Sequence, residues 1–330
     1  MSALTFHGGR VDEATRLFPD APQPWLDLST GINPRPYPIR VPGPADWRAL
    51  PSRTGLAALE ATAAAAFANE AGAIAAVPGS EIALRLLAQC GLPGPAVVVG
   101  PGYRTHLAAL PGASEIPASV LDTSAPAGGT ILLANPNNPD GRMIEPARLM
   151  QLARSLAADD GWLVVDEAFA DAHEDASVLP LIERGDRVLV LRSFGKFYGL
   201  AGLRLGFVCG HPALVEPIRQ RLGDWPVSSP AIAAGTSAYR DLAWQRDTRR
   251  WLREMAARLD GVLRRNGLAP RGASPLFRLV DTPAAPMLFE RLARRGVLVR
   301  PFDHAPTWLR FGLPPDGAAL ERLDRALRDG

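Results

Sequence analysis

The sequence predicts an α/β fold, with a large domain built on a mostly parallel sheet and a smaller α+β domain after it. Three features point there. Short apolar runs recur at Ala96–Val99, Thr130–Ala134, Trp162–Val165, Val188–Leu191 and Leu205–Cys209. Helical stretches such as Pro146–Ala158 separate several of them, and runs that stay apolar on consecutive residues suit strands covered on both faces. Beyond Leu222 the pattern changes to short strands alternating with helices.

The elements follow in order. The segment to about Pro44 is rich in Pro and Gly and reads as an extended arm with little regular structure. Ala57–Asn69 has helical composition, and Ile82, Leu84, Leu86 and Leu87 mark one face of a helix over Ser80–Cys90. The five apolar runs come next; the last follows its predecessor through a loop, so an antiparallel member is expected there. Pro226–Pro230 marks a boundary, and a long arginine-rich helix is expected over roughly Tyr239–Asn266. Strands at Phe277–Val280, Val297–Arg300 and Leu309–Leu313 then alternate with helices at Ala285–Arg295 and Ala318–Arg328. The expected division is an arm at 1–44, a large domain at 45–225 and a small domain at 226–330.

Composition narrows the function. The 330 residues are 47% hydrophobic and 21% charged, as in ordinary soluble proteins. A net charge of +2 argues against nucleic acid or an anionic membrane as the main partner. No run reaches the roughly 18–20 apolar residues of a membrane span, and Met1–Arg10 has no signal-peptide pattern. Cys90 and Cys209 both sit in apolar settings, so no disulfide framework is expected and a cytoplasmic location is. No metal site is assigned.

Of the 36 basic residues, only Lys196 is lysine. Arginine can replace lysine where a positive charge suffices. It cannot where the amine must lose its proton and attack a carbonyl, because guanidinium stays protonated. The residues around Lys196 fit that role. The first four apolar runs each lead to a polar or glycine-rich cluster: Gly100–Tyr103, Asn135–Pro139, Asp166–Phe169 and Ser193–Lys196. In parallel α/β sheets ligands collect at these carboxyl ends, so the four clusters define one rim. Asp166 closes an apolar strand, where a carboxylate needs a cationic partner; a protonated pyridine nitrogen is one, and a helix cap or structural ion pair is another. Gly79-Ser80 opens a helix whose N–H groups can meet an anion, with Ser193 and Arg204 near Lys196 in sequence. Tyr103 can stack on a ring, and Asn138 can donate to a phenolic oxygen.

These residues resemble the fold-type I, pyridoxal 5′-phosphate (PLP)-dependent class I/II aminotransferase family. The resemblance covers nearly the whole chain and is carried by Asn135–Gly141, Asp166–Phe169 and Ser193–Lys196 with Arg204 after it. It implies that fold, with a large-domain sheet of the seven-stranded type, and PLP as cofactor. Lys196 would be the Schiff-base lysine, Asp166 the partner of the pyridine nitrogen, Asn138 that of the phenolic oxygen, and Tyr103 the stacking residue. Ser80, Ser193, Arg204 and the main chain at Glu81 would hold the phosphate. Trp308–Gly312 is similar to the segment whose arginine, here Arg310, grips a substrate carboxylate. A homodimer is implied as well.

Within the family, His7-Gly8-Gly9, Leu28–Pro34 and Phe169 are most similar to the threonine-phosphate decarboxylase branch of cobalamin biosynthesis, relatives of histidinol-phosphate aminotransferase. The implied partner is a phosphorylated amino acid, O-phospho-L-threonine. His7, Gly31 and Arg35 on the arm, with Asn138 and Arg310, are the candidate substrate contacts, and Arg10 is a further option. Transamination of histidinol phosphate or another amino acid is the alternative, and a PLP-fold regulator without activity is a third reading. One departure stands out: the family's Tyr-Pro pair, whose tyrosine reaches the neighbouring subunit's cofactor phosphate, is matched by Leu50-Pro51. Tyr37 is the candidate replacement.

Overall fold

The computed structural model describes residues 4–5, 7–40, 43, 47–121 and 128–328; Pro44, the expected end of the arm, lies outside them. The strands in chain order are β1 Leu26–Asp27, β2 Ala73–Val77, β3 Ala96–Gly100, β4 Ser114–Pro117, β5 Thr130–Ala134, β6 Trp162–Asp166, β7 Val188–Ser193, β8 Gly206–Gly210, β9 Pro270–Arg271, β10 Phe277–Asp281, β11 Val297–Leu298, β12 Arg300–Pro301 and β13 Trp308–Gly312. Two compact units contain them. One comprises residues 36–138 and 142–245, the other residues 1–35, 139–141 and 246–330.

The larger unit holds a seven-stranded sheet in the order β2-β8-β7-β6-β5-β3-β4. Strands β4, β3, β5, β6 and β7 pair in parallel, while β8 runs antiparallel to both β7 and β2. The expected antiparallel member is therefore β8. Alternate strand residues Val77, Val98, Leu132, Val164, Leu189 and Val208 share one buried cluster with Ala83 and Leu84 of the helix Ser80–Leu86 and with Leu214, Val215 and Ile218 of the helix Pro212–Leu222. The intervening residues Val97, Ile131, Leu163, Val190 and Phe207 are buried too. Burial on both faces explains why these strands read as unbroken apolar runs rather than alternating ones.

The division falls at Gln245–Arg246, later than the boundary expected at Pro226. The helix Ser229–Arg240 packs along Arg53–Ala66 and so belongs with the sheet. The long helix expected over Tyr239–Asn266 is Leu242–Arg265; Tyr239 and Arg240 instead end the preceding helix, Ser229–Arg240, and Asp241 separates the two. Asp241 accepts the Trp244 N–H on Oδ1 at 3.0 Å, so its side chain starts the second helix.

In the smaller unit β12-β13-β10-β9 form an antiparallel sheet, and β1 pairs in parallel with β11. The helices Ala285–Arg294 and Gly317–Arg328 belong to it. The arm expected to lack regular structure carries a seven-residue helix, Val11–Leu17, which buries Ala14. Among the described residues no helix is long and apolar enough to cross a membrane.

Candidate active site

In the larger unit the carboxyl ends of β5, β6 and β7 lie side by side, with Ala134 opposite Asp166 and Asp166 opposite Leu191. Asn135 donates its N–H to the Asp166 carbonyl at 3.0 Å. Asn137 donates its side-chain amide to the carbonyl of Pro101, just past β3, at 2.9 Å. The loop carrying Asn138 is thereby tied to both neighbours at the rim.

Asp166 is the polar centre of this rim, with 5% of its surface exposed. Its Oδ1 accepts the Ala168 N–H at 3.1 Å, and its Oδ2 meets Nε2 of His106 at 2.9 Å. His106 is fully buried, and its Nδ1 has no hydrogen-bond partner. That arrangement assigns the ring hydrogen to Nε2, where it satisfies the carboxylate. Tyr103 lies edge-on to His106, with centroids 5.8 Å apart. Burial, with Glu81 also adding, pushes the Tyr103 hydroxyl up to about 12, so the neutral phenol is the persistent form. Glu81 turns its carboxylate to Arg85 Nε at 2.9 Å and to the Thr105 hydroxyl at 3.1 Å. The expected phosphate contact at Glu81 is thus left to its main chain.

Lys196 sits on the single-turn helix Phe194–Phe197 that follows β7. Gly195 is required there, because a Cβ on it would come within 2.6 Å of the Ala201 main chain. The Lys196 amine lies 5.9 Å from the centroid of the Phe169 ring and is partly screened from water. Arg204 adopts a left-handed backbone conformation, φ 51°, and its guanidinium occupies the space left by Gly79, 2.6 Å from where a Cβ would stand. A Cβ on Gly206, which pairs with Ser193, would come within 2.8 Å of the Ser80 nitrogen. Ser80, Ser193 and Arg204 therefore gather at one corner.

A second network lies just past Asp166. Arg192 pairs with Glu167 at 2.9 Å and with Asp171, and Ser177 donates to Glu167 at 2.6 Å. All three charged residues are buried, and these carboxylates hold the Arg192 cation with a raised pKa despite its burial. Tyr37 is the candidate replacement for the family's intersubunit tyrosine. It is buried edge-on between Tyr198 and Trp244, with its hydroxyl 3.4 Å from Asp241.

The smaller unit holds His7, Gly31, Arg35 and Arg310. Arg310 is 3% exposed on β13 and faces Arg300, 7% exposed on β12, in the antiparallel register. Burial first, and the Arg300 charge second, hold the Arg310 guanidinium well below its ordinary pKa. Its Nη2 donates to the Ser29 carbonyl at 2.9 Å. Gly31 is buried two residues beyond, and His7 precedes a turn whose Gly9 N–H donates to Ser29 Oγ at 2.8 Å. Arg35 is exposed, with its guanidinium stacked 4.1 Å above the Trp251 ring. Arg10 is exposed at the start of the helix Val11–Leu17.

A family model for class I and II aminotransferases matches residues 119–327. The chain belongs to this family. It is 39% identical to a threonine-phosphate decarboxylase of Pseudomonas aeruginosa over 325 residues, which covers 97% of this chain and 96% of the other. It is 32% identical to a histidinol-phosphate aminotransferase of Jannaschia over 313 residues, covering 88% and 84%. The fold matches the PLP complex of Sinorhizobium meliloti histidinol-phosphate aminotransferase with a TM-score of 0.78, at 23% identity over 96% of this chain and 92% of that one. The L-threonine-O-3-phosphate decarboxylase of Porphyromonas gingivalis gives 0.73 at 18% identity, covering 92% and 98%. These structures establish the fold, PLP fold type I.

As a class I/II aminotransferase family member, the enzyme uses pyridoxal 5′-phosphate. The residues of the larger unit fit that group. The buried Asp166 carboxylate, already oriented by His106, suits a protonated ring nitrogen. The guanidinium in the Gly79 gap, with Ser80 and Ser193, suits a phosphate. A half-buried amine, a neutral phenol and a tethered asparagine complete the set.

Two residues escaped the sequence reading. His106 carries only a weak signal, three residues after Tyr103. Arg300 ended an expected strand and was one arginine among many until the register set it against Arg310.

Proposed function

We propose that the enzyme decarboxylates O-phospho-L-threonine, releasing carbon dioxide and leaving (R)-1-amino-2-propanol O-2-phosphate, a step of cobalamin biosynthesis. The observation that carries the carboxylate substrate is the Arg300–Arg310 pair. Two buried like charges on facing strands cost free energy that an anion offsets, and burial makes each bidentate contact stronger. Phosphothreonine brings a carboxylate and a phosphate. Histidinol phosphate brings a phosphate alone, but the 2-oxoglutarate and glutamate of its transamination bring carboxylates, so the arginine pair supports a carboxylate substrate in either reaction and sequence similarity makes the choice between them. The near full-length similarity to the Pseudomonas decarboxylase favours decarboxylation.

The cofactor supplies an electron sink for the bond broken at the substrate's α-carbon. The residues have distinct tasks. Lys196 would hold the cofactor through its amine and would supply a proton at the substrate's α-carbon as carbon dioxide departs. Asp166 keeps a proton on the ring nitrogen, and His106 keeps Asp166 oriented. Asn138 holds the phenolic oxygen, and Tyr103 packs against the ring. Ser80, Ser193, Arg204 and the main chain at Glu81 hold the cofactor phosphate. Arg310, with Arg300, grips the substrate carboxylate. By fixing how the substrate is oriented, that grip would decide whether the carboxylate or the α-proton is lost. His7, Gly31 and Arg35 receive the substrate phosphate, with Arg35 held flat by Trp251.

A homodimer belongs to this reading. Trp47 and Trp225 are exposed, and Leu50, at the position of the family's tyrosine, is 68% exposed, as a surface awaiting a second copy would be.

Purified enzyme with PLP and O-phospho-L-threonine should release carbon dioxide in step with the aminopropanol phosphate. Glutamate formed from 2-oxoglutarate, without carbon dioxide, would replace the reading with transamination, which the similarity to the Jannaschia aminotransferase favours. Borohydride treatment should leave PLP bound to the peptide containing Lys196 and to no other.

A further inference from the structure

Ser29 stands where three parts of the smaller unit meet. Asp27 Oδ1 accepts both the Ser29 N–H at 2.8 Å and its hydroxyl at 2.6 Å, which fixes the Ser29 peptide in one orientation. The Ser29 Oγ accepts the Gly9 N–H at 2.8 Å. The Ser29 carbonyl accepts Arg310 Nη2 at 2.9 Å. Close packing leaves this segment little freedom. A Cβ on Gly8 would overlap the Ser29 carbonyl oxygen, and one on Gly312 would overlap that of Thr30. Leu28 is bonded on both sides, donating to Leu298 and accepting from Gly312, each at 2.7 Å. A displacement of the Gly8-Gly9 turn therefore moves the carbonyl that holds one arm of the Arg310 fork.

We infer that Ser29, set by Asp27, is a positioning residue that couples the amino-terminal Gly8-Gly9 turn to Arg310, so that order in the turn and anion binding at Arg310 strengthen each other. The coupling rests on the reading that Arg310 grips the substrate carboxylate. A guanidinium held at one nitrogen loses less freedom when its fork closes on a carboxylate. By linkage, a carboxylate at Arg310 then stabilises the bond from Gly9 to Ser29 by the same factor.

The test uses the PLP-loaded enzyme and O-phospho-L-threonine. Ser29→Ala should raise KM about fivefold to tenfold, the loss of roughly one buried hydrogen bond, with kcat within about twofold. Asp27→Asn, which keeps Oδ1 as acceptor, should not raise KM. In borohydride-reduced enzyme, which cannot turn over, O-phospho-L-threonine should slow hydrogen exchange at the Gly9 amide, and Ser29→Ala should abolish that slowing. Arg310→Gln separates the two readings. If it leaves KM unchanged, the carboxylate reading and the coupling fall together. If it raises KM while Ser29→Ala does not, only the coupling falls. Should Ser29→Ala fail to fold, exchange in the unaltered chain decides: no ligand-dependent slowing at Gly9 overturns the inference.

Discussion

His106 is the residue whose removal tests the cofactor site most sharply. In His106→Leu the volume is roughly kept, but Asp166 Oδ2 loses its partner at 2.9 Å and the carboxylate retains only the Ala168 N–H at 3.1 Å. Both side chains are buried, so water cannot readily replace the lost donor. A hydrogen bond to a charged group contributes about 1.5–3 kcal/mol. At about 1.4 kcal/mol per decade, PLP affinity should fall roughly tenfold to hundredfold. His106→Gln, whose amide nitrogen can reach the place of Nε2, should recover most of the loss. The assay titrates apoenzyme with PLP by absorbance, with circular dichroism to check the fold. A folded His106→Leu protein that binds PLP within about twofold of the unaltered enzyme would refute the claim that this imidazole orients Asp166 for the ring nitrogen.

Arg300→Gln should lower kcat/KM for O-phospho-L-threonine by about tenfold to hundredfold, as expected for a charged contact to an anion, read in the carbon dioxide assay. Arg192→Leu leaves Glu167 and Asp171 buried without their cation and should cost about 3–5 kcal/mol of stability, measured by urea unfolding at constant m-value. The Tyr103 hydroxyl, raised from 10.0 to about 12, gives a stability contribution that is complete below pH 10 and lost as pH rises through about 12. Tyr103→Phe should therefore decline less steeply than the unaltered chain across that window in thermal unfolding.

What the sequence reveals of this fold depends on how local each signal is. Asn138, Asp166, Ser193 and Lys196 stand out as candidates because each lies at, or within four residues of, the carboxyl end of a strand buried on both faces, and parallel strands bring those ends to one rim. The strand β2 is obscured because Ala73–Val77 is alanine-rich rather than β-branched, and β4 because Ser114–Pro117 is a largely exposed edge. The helix Val11–Leu17 is short and set among proline and glycine, so its periodicity spans barely two turns. Asp241 offered a signal that passed unread, since an aspartate three residues before a bonded N–H is a common way to start a helix. His106 and Arg300 have no local signal of comparable strength. One depends on a helix after β3 reaching the end of β6, the other on the antiparallel register of β12 and β13.

The arginine content sharpens that contrast. In a chain with a single lysine, an arginine says only that a charge is wanted, and its task emerges from what surrounds it. Arg192 is enclosed by carboxylates, Arg310 by a carbonyl and a second arginine, and Arg35 by an indole face. The first is a buried counter-ion; in the proposed function the second is an anion grip and the third a stacked phosphate contact, although all three are the same residue in sequence. Lys196 differs in kind, since a guanidinium there would keep the charge and lose the nucleophile. It is held, partly screened from water and with its amine 5.9 Å from the Phe169 ring centroid, on the single helical turn that follows β7, on the same carboxyl-end rim as Asp166.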